Sequence, residues 1–213
     1  MDQSRIRDYL LSLSKDAEGR LGRLRKEAEA SDVPIIKPDT EELLRTMVQL
    51  LKPESILEIG TAIGYSAMVM ADCSEAGIVT IESYEKRIPM AKANFDEAGF
   101  TDRISLMEGD AGLILPRLCE EGRTFDLIFL DAAKGQYINW LPDIKRLMKK
   151  GALLFTDNVL LELTVMESRY TVERRDRTTH KRMREFLHAI KHDEELISSV
   201  LPVGDGVSLS VRL

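Results

Sequence analysis

The fold is decided by residues 55–66, which read SILEIGTAIGYS. The apolar run Ser55–Ile59 predicts a buried strand, and Gly60 and Gly64 predict a tight turn into a helix that covers Gly64–Ala71. Outward from this unit, apolar strands and amphipathic helices alternate through most of the remaining chain. Such an alternation indicates a parallel sheet with helices on both faces.

The rest of the chain continues this pattern until its tail. Further strands are predicted at Ile78–Glu82, Arg103–Met107, Phe125–Asp131 and Ala152–Asp157. Helices are predicted at Tyr84–Ala98, Asp110–Leu118, Tyr137–Met148 and Thr178–Lys191. Two last strands, Leu196–Leu201 and Val207–Leu213, flank the tight-turn sequence Gly204-Asp205-Gly206 and predict an antiparallel hairpin. We therefore predict an α/β fold with a doubly wound, Rossmann-like sheet, mostly parallel with a C-terminal antiparallel hairpin.

The amino-terminal part predicts extra helices in front of this sheet. Apolar residues at intervals of three and four predict one helical stripe from Ile6 to Leu24. A second helix is expected after Pro38, with Thr40 as its N-cap. Its buried side is predicted to contain Leu43, Leu44, Met47, Leu50 and Leu51. No repeat or Gly/Ser linker divides the chain, so we expect a single domain, residues 1–213, with N-terminal helices at 1–52 and a catalytic core at 53–213.

The composition is typical of a soluble globular protein. The 213 residues include 36 acidic and 30 basic side chains, a net charge of −6, and 44% are hydrophobic. These values exclude disordered and collagen-like chains. No segment has the roughly 20 apolar residues of a membrane span, and no signal peptide is recognised. Cys73 and Cys119 are predicted to be buried free thiols, which indicates a reducing, cytoplasmic location.

The glycine turn after the first strand predicts a nucleoside ligand. In the dinucleotide pattern G-x-G-x-x-G the middle glycine lets phosphates press on the backbone, but Ala62 stands at that position here. A ligand without phosphates fits better, and a nicotinamide oxidoreductase is disfavoured. The alternative is that Gly60 and Gly64 serve packing alone.

Two acidic residues at strand ends are candidates to bind that nucleoside. Glu82 ends the second strand 22 residues after Gly60, where a carboxylate can accept both ribose hydroxyl hydrogens. Asp110, in Gly109-Asp110-Ala111, can accept from an adenine amino group. The alternatives are a solvated loop glutamate and a helix N-cap, and Asp110 can serve in both roles.

Oxygen ligands at the ends of two neighbouring strands predict a metal site. Asp131 ends the fourth strand, and Asp157 and Asn158 end the fifth. Two carboxylates and an amide oxygen suit Mg²⁺ or a similar cation, whereas the lack of thiolate and imidazole disfavours zinc. Lys134 follows in the same crevice, and a neighbouring dication favours its neutral form, so it is a candidate general base. Capping acids, a turn asparagine and a surface lysine are the alternatives.

These motifs together resemble a known family. Residues 58–66, 109–111, 125–134 and 157–160 are similar to the cation-dependent, S-adenosylmethionine-dependent O-methyltransferases, which include the catechol and caffeoyl-CoA enzymes. The resemblance covers about residues 30–213 and implies a class I methyltransferase fold. The ending Pro202–Gly206 is most similar to the short bacterial members that methylate 5-hydroxyuridine in tRNA.

The resemblance implies a role for each matching residue. Metal ligands would be Asp131, Asp157 and Asn158, with Lys134 as the catalytic base. S-adenosylmethionine would be bound by Glu58, Gly60, Gly64, Ser66, Glu82, Asp110, Ala111 and Asp131, with Ser66 and the Gly60 loop at its methionine end. One departure concerns residues 161–163, Leu-Glu-Leu, where family members often carry an aromatic residue or an Arg-Gly pair. That loop borders the acceptor pocket, so the departure bears on substrate identity.

The acceptor is predicted to carry two adjacent oxygens that chelate the cation, as catechols and 5-hydroxyuracil both do. Residues 169–184 contain seven basic and two acidic residues, and tRNA phosphates are the expected partners of Arg169, Arg174, Arg175 and Arg177. A solvated basic segment is the alternative.

We expect tRNA as substrate, with a small phenol as the alternative. We also expect a homodimer formed through the amphipathic first helix. A non-catalytic RNA-binding module is disfavoured by the intact metal and lysine positions.

Overall fold

The computed structural model describes residues 3–14, 17–168 and 170–213. The helices of this part are α1 (Gln3–Leu13), α2 (Gly19–Ala30), α3 (Pro38–Leu51), α4 (Tyr65–Asp72), α5 (Ile88–Ala98), α6 (Ala111–Glu120), α7 (Tyr137–Leu147) and α8 (Arg177–His192). The strands are β1 (Ser55–Ile59), β2 (Gly77–Glu82), β3 (Ile104–Glu108), β4 (Phe125–Leu130), β5 (Met148–Thr156), β6 (Leu196–Leu201) and β7 (Val207–Arg212). Short 3₁₀ helices cover Lys134–Gln136 and Leu161–Met166.

The strands form one sheet in the order β3-β2-β1-β4-β5-β7-β6. The first five strands in this order are parallel, whereas β7 is antiparallel to both β5 and β6. The predicted doubly wound sheet with a C-terminal antiparallel hairpin is therefore confirmed. Strand order reverses between β1 and β4, and ligands of such sheets bind beyond the carboxyl ends of the strands at this point.

The core lies on both faces of the sheet. Ile128 and Leu130 of β4 point to the face covered by α6, α7 and α8. Leu127 and Phe129 point to the opposite face, which is covered by α2, α3, α4 and α5. All four side chains are fully buried, and each burial contributes about 1.5–3 kcal/mol. Burial on both faces explains why β4 is apolar without alternation.

The predicted single stripe from Ile6 to Leu24 is wrong, because two helices share it. Helix α1 ends at Leu13 and α2 begins at Gly19. Ala17, just before α2, lies so close to this helix that a Cβ atom on Gly22 would lie 1.9 Å from the Ala17 carbonyl oxygen. This close approach requires glycine at residue 22.

Two predictions for the next helix also fail. Lys37 is the N-cap of α3 and Pro38 its first residue, so Thr40 lies inside the helix, fully buried, and is not the cap. Proline needs no N–H partner at that position, which explains the earlier start. Leu50 is 76% exposed, whereas Leu44 is fully buried.

Element boundaries elsewhere differ by more than two residues in two places. Helix α5 begins at Ile88 rather than Tyr84, because residues 84–87 form a turn with an Arg87 N–H···O Tyr84 hydrogen bond of 2.9 Å. Strand β5 begins at Met148, where an irregular register beside β4 extends the pairing before Ala152. Helix α5 ends at Ala98 as predicted, and Gly99 follows it with φ of +70°.

The cysteines were predicted to be buried free thiols, and no membrane-spanning helix was predicted. Cys73 and Cys119 are free thiols, as predicted, but both are only half-buried. None of the helices in the described ranges combines the length and apolar character needed to cross a bilayer.

Candidate functional site

A cavity of about 1310 Å³ lies beyond the carboxyl ends of the parallel strands. Its wall includes most of the predicted site residues, namely Gly60, Ser66, Glu82, Asp110, Ala111, Asp131, Lys134, Asp157 and Asn158. Residues far apart in the sequence thus meet at one edge of the sheet. Glu58 and Gly64 lie behind this wall.

The turn after β1 requires glycine at residue 60. Gly60 has φ of +103°, and a Cβ atom there would lie 2.0 Å from the Asp131 carbonyl oxygen. The end of β1 therefore packs directly against the end of β4. Gly64, with φ of +87°, faces the ring of Phe95 and serves packing rather than the cavity.

Glu58 lies beneath the turn and supports it from inside the core. The carboxyl group is fully buried and accepts hydrogen bonds from the hydroxyls of Ser66 and Thr80. Burial raises the pKa of Glu58 to about 8, although both hydroxyl donors lower it. The structure thus connects Glu58 to the cavity through Ser66, which forms part of the wall.

Glu82 is held by the main chain at the end of β2. Its carboxylate accepts from the N–H of Ala62 at 2.7 Å, of Ser83 at 2.9 Å and of Tyr84 at 2.7 Å. The Ala62 bond links the end of β2 to the glycine turn. The solvated alternative for Glu82 does not hold, because the side chain is buried and fixed at the cavity wall.

Asp110 caps helix α6 and also borders the cavity. Its side chain accepts from the Gly112 N–H at 2.6 Å, so the N-cap alternative is confirmed. The Trp140 indole lies beside it, with Nε1 3.4 Å from where a Cβ of Gly112 would be. A carboxylate next to a flat aromatic wall can bind a planar, amino-bearing ring.

Asp131 and Asp157 end neighbouring strands, as predicted. The Asp131 N–H donates to Ile59 O and the Asp157 N–H to Leu130 O, both at 3.0 Å. Burial, and then the charge of Asp131, raise the pKa of Asp157 to about 7. Asn158 has φ of +59°, and its N–H donates to Asp157 at 2.8 Å. The three side chains line one part of the cavity.

The chemistry of these donors fits a hard divalent cation. The buried carboxylate of Asp157 and the half-buried carboxylate of Asp131 repel each other and would be stabilised by a positive ion, and the third donor is an amide oxygen. The part of the chain that the structure describes contains no group of three or more His, Cys, Asp or Glu side chains that could hold a metal. Such a site therefore depends on Asn158 as its third ligand.

Lys134 is held over the same carboxylates rather than in solvent. Its ammonium group contacts Asp131 and lies 5.8 Å from the centre of the Tyr137 ring. Burial lowers the pKa of Lys134, but Tyr137 and Asp131 together raise it above its ordinary value. Tyr137, which the sequence analysis missed, fixes this loop because its hydroxyl accepts from the Ala132 N–H at 3.1 Å.

Of the predicted RNA-binding arginines, Arg174, Arg175 and Arg177 lie outside the cavity wall. Arg174 is exposed, Arg175 pairs with Glu173 at 3.0 Å, and the half-buried Arg177 donates to the Val172 carbonyl at 3.2 Å. Acidic and apolar neighbours from this segment, including Glu173 and Val172, line the wall instead. Arg169 lies outside the described residues.

Lys37 and Asp205 also line the cavity, although no motif in the sequence predicted them. Asp205 belongs to the Gly204-Asp205-Gly206 sequence, which predicted only a turn. Lys37 carries no local signal beyond its place before Pro38.

Comparisons with known proteins agree with this geometry. A family profile described as O-methyltransferase matches residues 12–213. The chain is 35% identical to a catechol O-methyltransferase of Niastella koreensis. The match covers 64% of this chain and 63% of that protein, so it spans less than two thirds of the relative's length. It is 32% identical to caffeoyl-CoA O-methyltransferase 1 of Eucalyptus globulus, over 82% of this chain and 73% of that one.

Solved structures show the same similarity. An O-methyltransferase from Bacillus cereus, in complex with SAH, matches with a TM-score of 0.84 and 25% identity. The match covers 98% of this chain and 97% of that one.

Proposed function

Because the chain belongs to the O-methyltransferase family, we propose that it transfers the methyl group of S-adenosylmethionine to an acceptor oxygen with the help of a divalent cation. One observation carries the proposal: Asp131, Asp157 and Lys134 share a cavity with the glycine turn and Glu82. Support for the methyl donor comes from the SAH complex of the Bacillus cereus relative.

The cofactor would lie across the ends of β1, β2 and β3. Glu82 would accept from the ribose hydroxyls, since the carboxylate is already oriented by its backbone donors. Asp110 and the Ala111 backbone would bind adenine beside Trp140. Ser66 and the Gly60 turn would hold the methionine end, next to the carboxyl end of β4.

Methyl transfer is an in-line displacement in which the acceptor O–C bond forms as the C–S bond breaks. Asp131, Asp157 and Asn158 would hold the cation, whose positive charge would lower the pKa of an acceptor hydroxyl and favour an acceptor with a second oxygen beside it. The hydroxyl proton would pass to Lys134, and S-adenosylhomocysteine would leave. Lys134 acts as a base only when neutral, and the carboxylates that raise its pKa are the ones whose charge a dication offsets.

For the acceptor we propose 5-hydroxyuridine in tRNA, methylated to 5-methoxyuridine. A protruding base would enter the cavity while its phosphates stay outside, and the exposed Arg174 and Arg175 lie outside. A catechol-like or caffeoyl-CoA-like phenol is the second candidate, favoured by the names of the relatives.

Mass spectrometry of tRNA nucleosides tests this choice. tRNA that carries 5-hydroxyuridine but no 5-methoxyuridine is incubated with the protein, Mg²⁺ and methyl-labelled S-adenosylmethionine. Labelled 5-methoxyuridine is the expected product. Exchange of Arg174, Arg175 and Arg177 for Ser should lower this rate about tenfold or more at physiological salt while a catechol is methylated as before. Labelled catechol without labelled tRNA would favour the second candidate. No transfer to either would contradict the enzyme proposal and favour an RNA-binding module.

We also propose a homodimer formed through α1. The helix exposes Ile6, Tyr9, Leu10 and Leu13, which share one face at helical spacing. Sedimentation should give a dimer for the natural chain and a monomer for Leu10→Glu, and a monomeric natural chain would contradict the proposal.

The free Cys73 and Cys119 support the predicted reducing, cytoplasmic location.

A further inference from the structure

The turn between β6 and β7, residues 204–206, connects two other segments of the cavity wall. The N–H groups of Val159 and Leu160 donate to carbonyl oxygens of this turn at 2.9 and 3.0 Å. On its other side, the turn donates the Gly204 N–H to Asp39 at 2.9 Å. The turn therefore links the end of β5 to the start of α3.

The side chain of Asp205 makes the same connection with charged and polar groups. Its Oδ2 accepts from Asn158 Nδ2 at 3.2 Å, and its Oδ1 pairs with the ammonium group of Lys37. The Asp205 side chain is only 14% exposed. All three residues line the cavity.

The contact with Asp205 decides which way the Asn158 amide points. An ionised carboxylate only accepts hydrogen bonds, so only the NH₂ branch of the amide can face it. The amide is planar, so Oδ1 points to the other side and is available as a ligand. Among the described ranges no hydrogen bond to Asn158 Oδ1 is found.

We propose that Asp205 is a positioning residue for the cation: it orients Asn158, and its ion pair with Lys37 couples residues 33–37 to the site. The inference rests on the proposed function, because it concerns the ion that Asp131, Asp157 and Asn158 would hold. Without Asp205 the amide can rotate and present its NH₂ group to the ion. Pro34, Ile35 and Ile36 line the cavity next to Lys37, so this segment is part of the coupled unit.

Binding of Mn²⁺, measured by calorimetry on the full chain without any methyl transfer, tests the positioning role. Asp205→Ala should weaken Mn²⁺ binding about 10–100-fold, as loss of groups that orient metal ligands does. Asp205→Asn should weaken it less, because its amide oxygen still accepts from Asn158. Asp193→Ala is the matched control, since it removes a carboxylate that pairs with Lys145 at 2.6 Å at the C-terminal end of α8, outside the cavity wall. That control should bind Mn²⁺ like the natural chain, and SAH binding should be unchanged in all variants.

Hydrogen exchange tests the coupling to residues 33–37. Lys37→Ala should speed hydrogen exchange of the Ile35 and Ile36 amides. Mn²⁺ binding should keep at least its original affinity, because the substitution removes a positive charge near the ion. Unchanged exchange would overturn the coupling. Equal Mn²⁺ affinity of Asp205→Ala and the natural chain, or equal losses in Asp205→Ala and Asp205→Asn, would overturn the positioning role. If the natural chain binds no Mn²⁺, both the cation part of the proposed function and the positioning role of Asp205 fail. If the natural chain binds Mn²⁺ and Asp205→Ala binds it equally well, only the positioning role fails.

Discussion

The two halves of the cavity stabilise their carboxylates in different ways. In the cofactor half, formed by Gly60, Glu82 and Asp110, the main chain does so: Glu82 accepts from three backbone N–H groups and Asp110 from one. In the proposed cation half, formed by Asp131, Asp157 and Asn158, the carboxylate of the buried Asp157 accepts from the Asn158 N–H alone among the described residues, and its pKa is raised to about 7.

This difference shows which half is complete without a ligand. N–H donors stabilise a carboxylate in its charged form, so the cofactor half is organised by the chain itself. Neighbouring carboxylates in a buried place repel each other, and Lys134 offsets only part of that charge. Under the proposed function, the cation half would therefore be completed by an added positive ion, whereas the cofactor half is already held by backbone donors.

The largest expected effect separates the two halves by activity. Asp157→Ala should lower methyl transfer on the order of 10³-fold or more, because the acceptor loses its activating ion, while SAH affinity measured by calorimetry stays nearly unchanged. EDTA should have the same effect on the natural chain. Asp126→Ala, a carboxylate at the opposite end of β4, is the control and should retain activity. Parallel loss of SAH binding and turnover would show that the halves are not separable.

A substitution in the glycine turn should break the cofactor half instead. Gly60→Ala places a Cβ atom against the Asp131 carbonyl at a positive φ and should lower the free energy of unfolding by about 3 kcal/mol or more. SAH binding should weaken with it. Gly77→Ala, which has no atom within 4 Å of the new Cβ, should cost less than about 1 kcal/mol. Urea unfolding measures both, and equal losses would refute the close-approach argument.

The pH dependence of stability tests the carboxyl group beneath the cofactor half. Burial raises the pKa of Glu58 from 4.5 to about 8, so the folded chain binds this proton more tightly than the unfolded chain. The resulting stabilisation is fully present below pH 4.5 and is lost as the pH rises through 8. The slope from this group is roughly 1.4 kcal/mol for each pH unit within that window.

Glu58→Gln cannot ionise, so it should flatten this slope and should be more stable than the natural chain at pH 8. Urea unfolding at several pH values measures the effect. Asp157→Asn serves as the comparison from the cation half, because the raised pKa of Asp157 acts in the same direction. Parallel pH profiles for Glu58→Gln and the natural chain would contradict the assignment.

The smallest expected effect concerns the cap of α6. Asp110→Ala should lower the free energy of unfolding by about 1 kcal/mol through loss of the N-cap, and it should also weaken SAH binding. Asp110→Asn keeps a capping oxygen and should lose less of both. If SAH affinity is unchanged in Asp110→Ala, Asp110 is a cap only, and the cofactor half is smaller than proposed.

Predictability from the sequence differed along the chain for physical reasons. The β1–β5 strands and the final hairpin were predicted because buried parallel strands leave long apolar runs, and Gly204-Asp205-Gly206 leaves a turn signal. The amino-terminal helices were predicted less well. The close approach of Ala17 to Gly22 has no signal in the local sequence, and the exposure of Leu50 depends on which helix face meets the sheet.

By itself, the sequence determined which residues end the parallel strands, and parallel strands bring their carboxyl ends to one edge. Asp131, Asp157 and Asn158 could thus be grouped before any contact was known, as could Glu82 and the glycine turn. Only the tertiary structure decided how these groups are held. Lys37 and Asp205 are 168 residues apart in the chain, and they meet because β7 lies between β5 and β6 and brings the hairpin turn beside the start of α3. Side-chain pairs of that kind depend on packing between distant segments, for which no local periodicity exists.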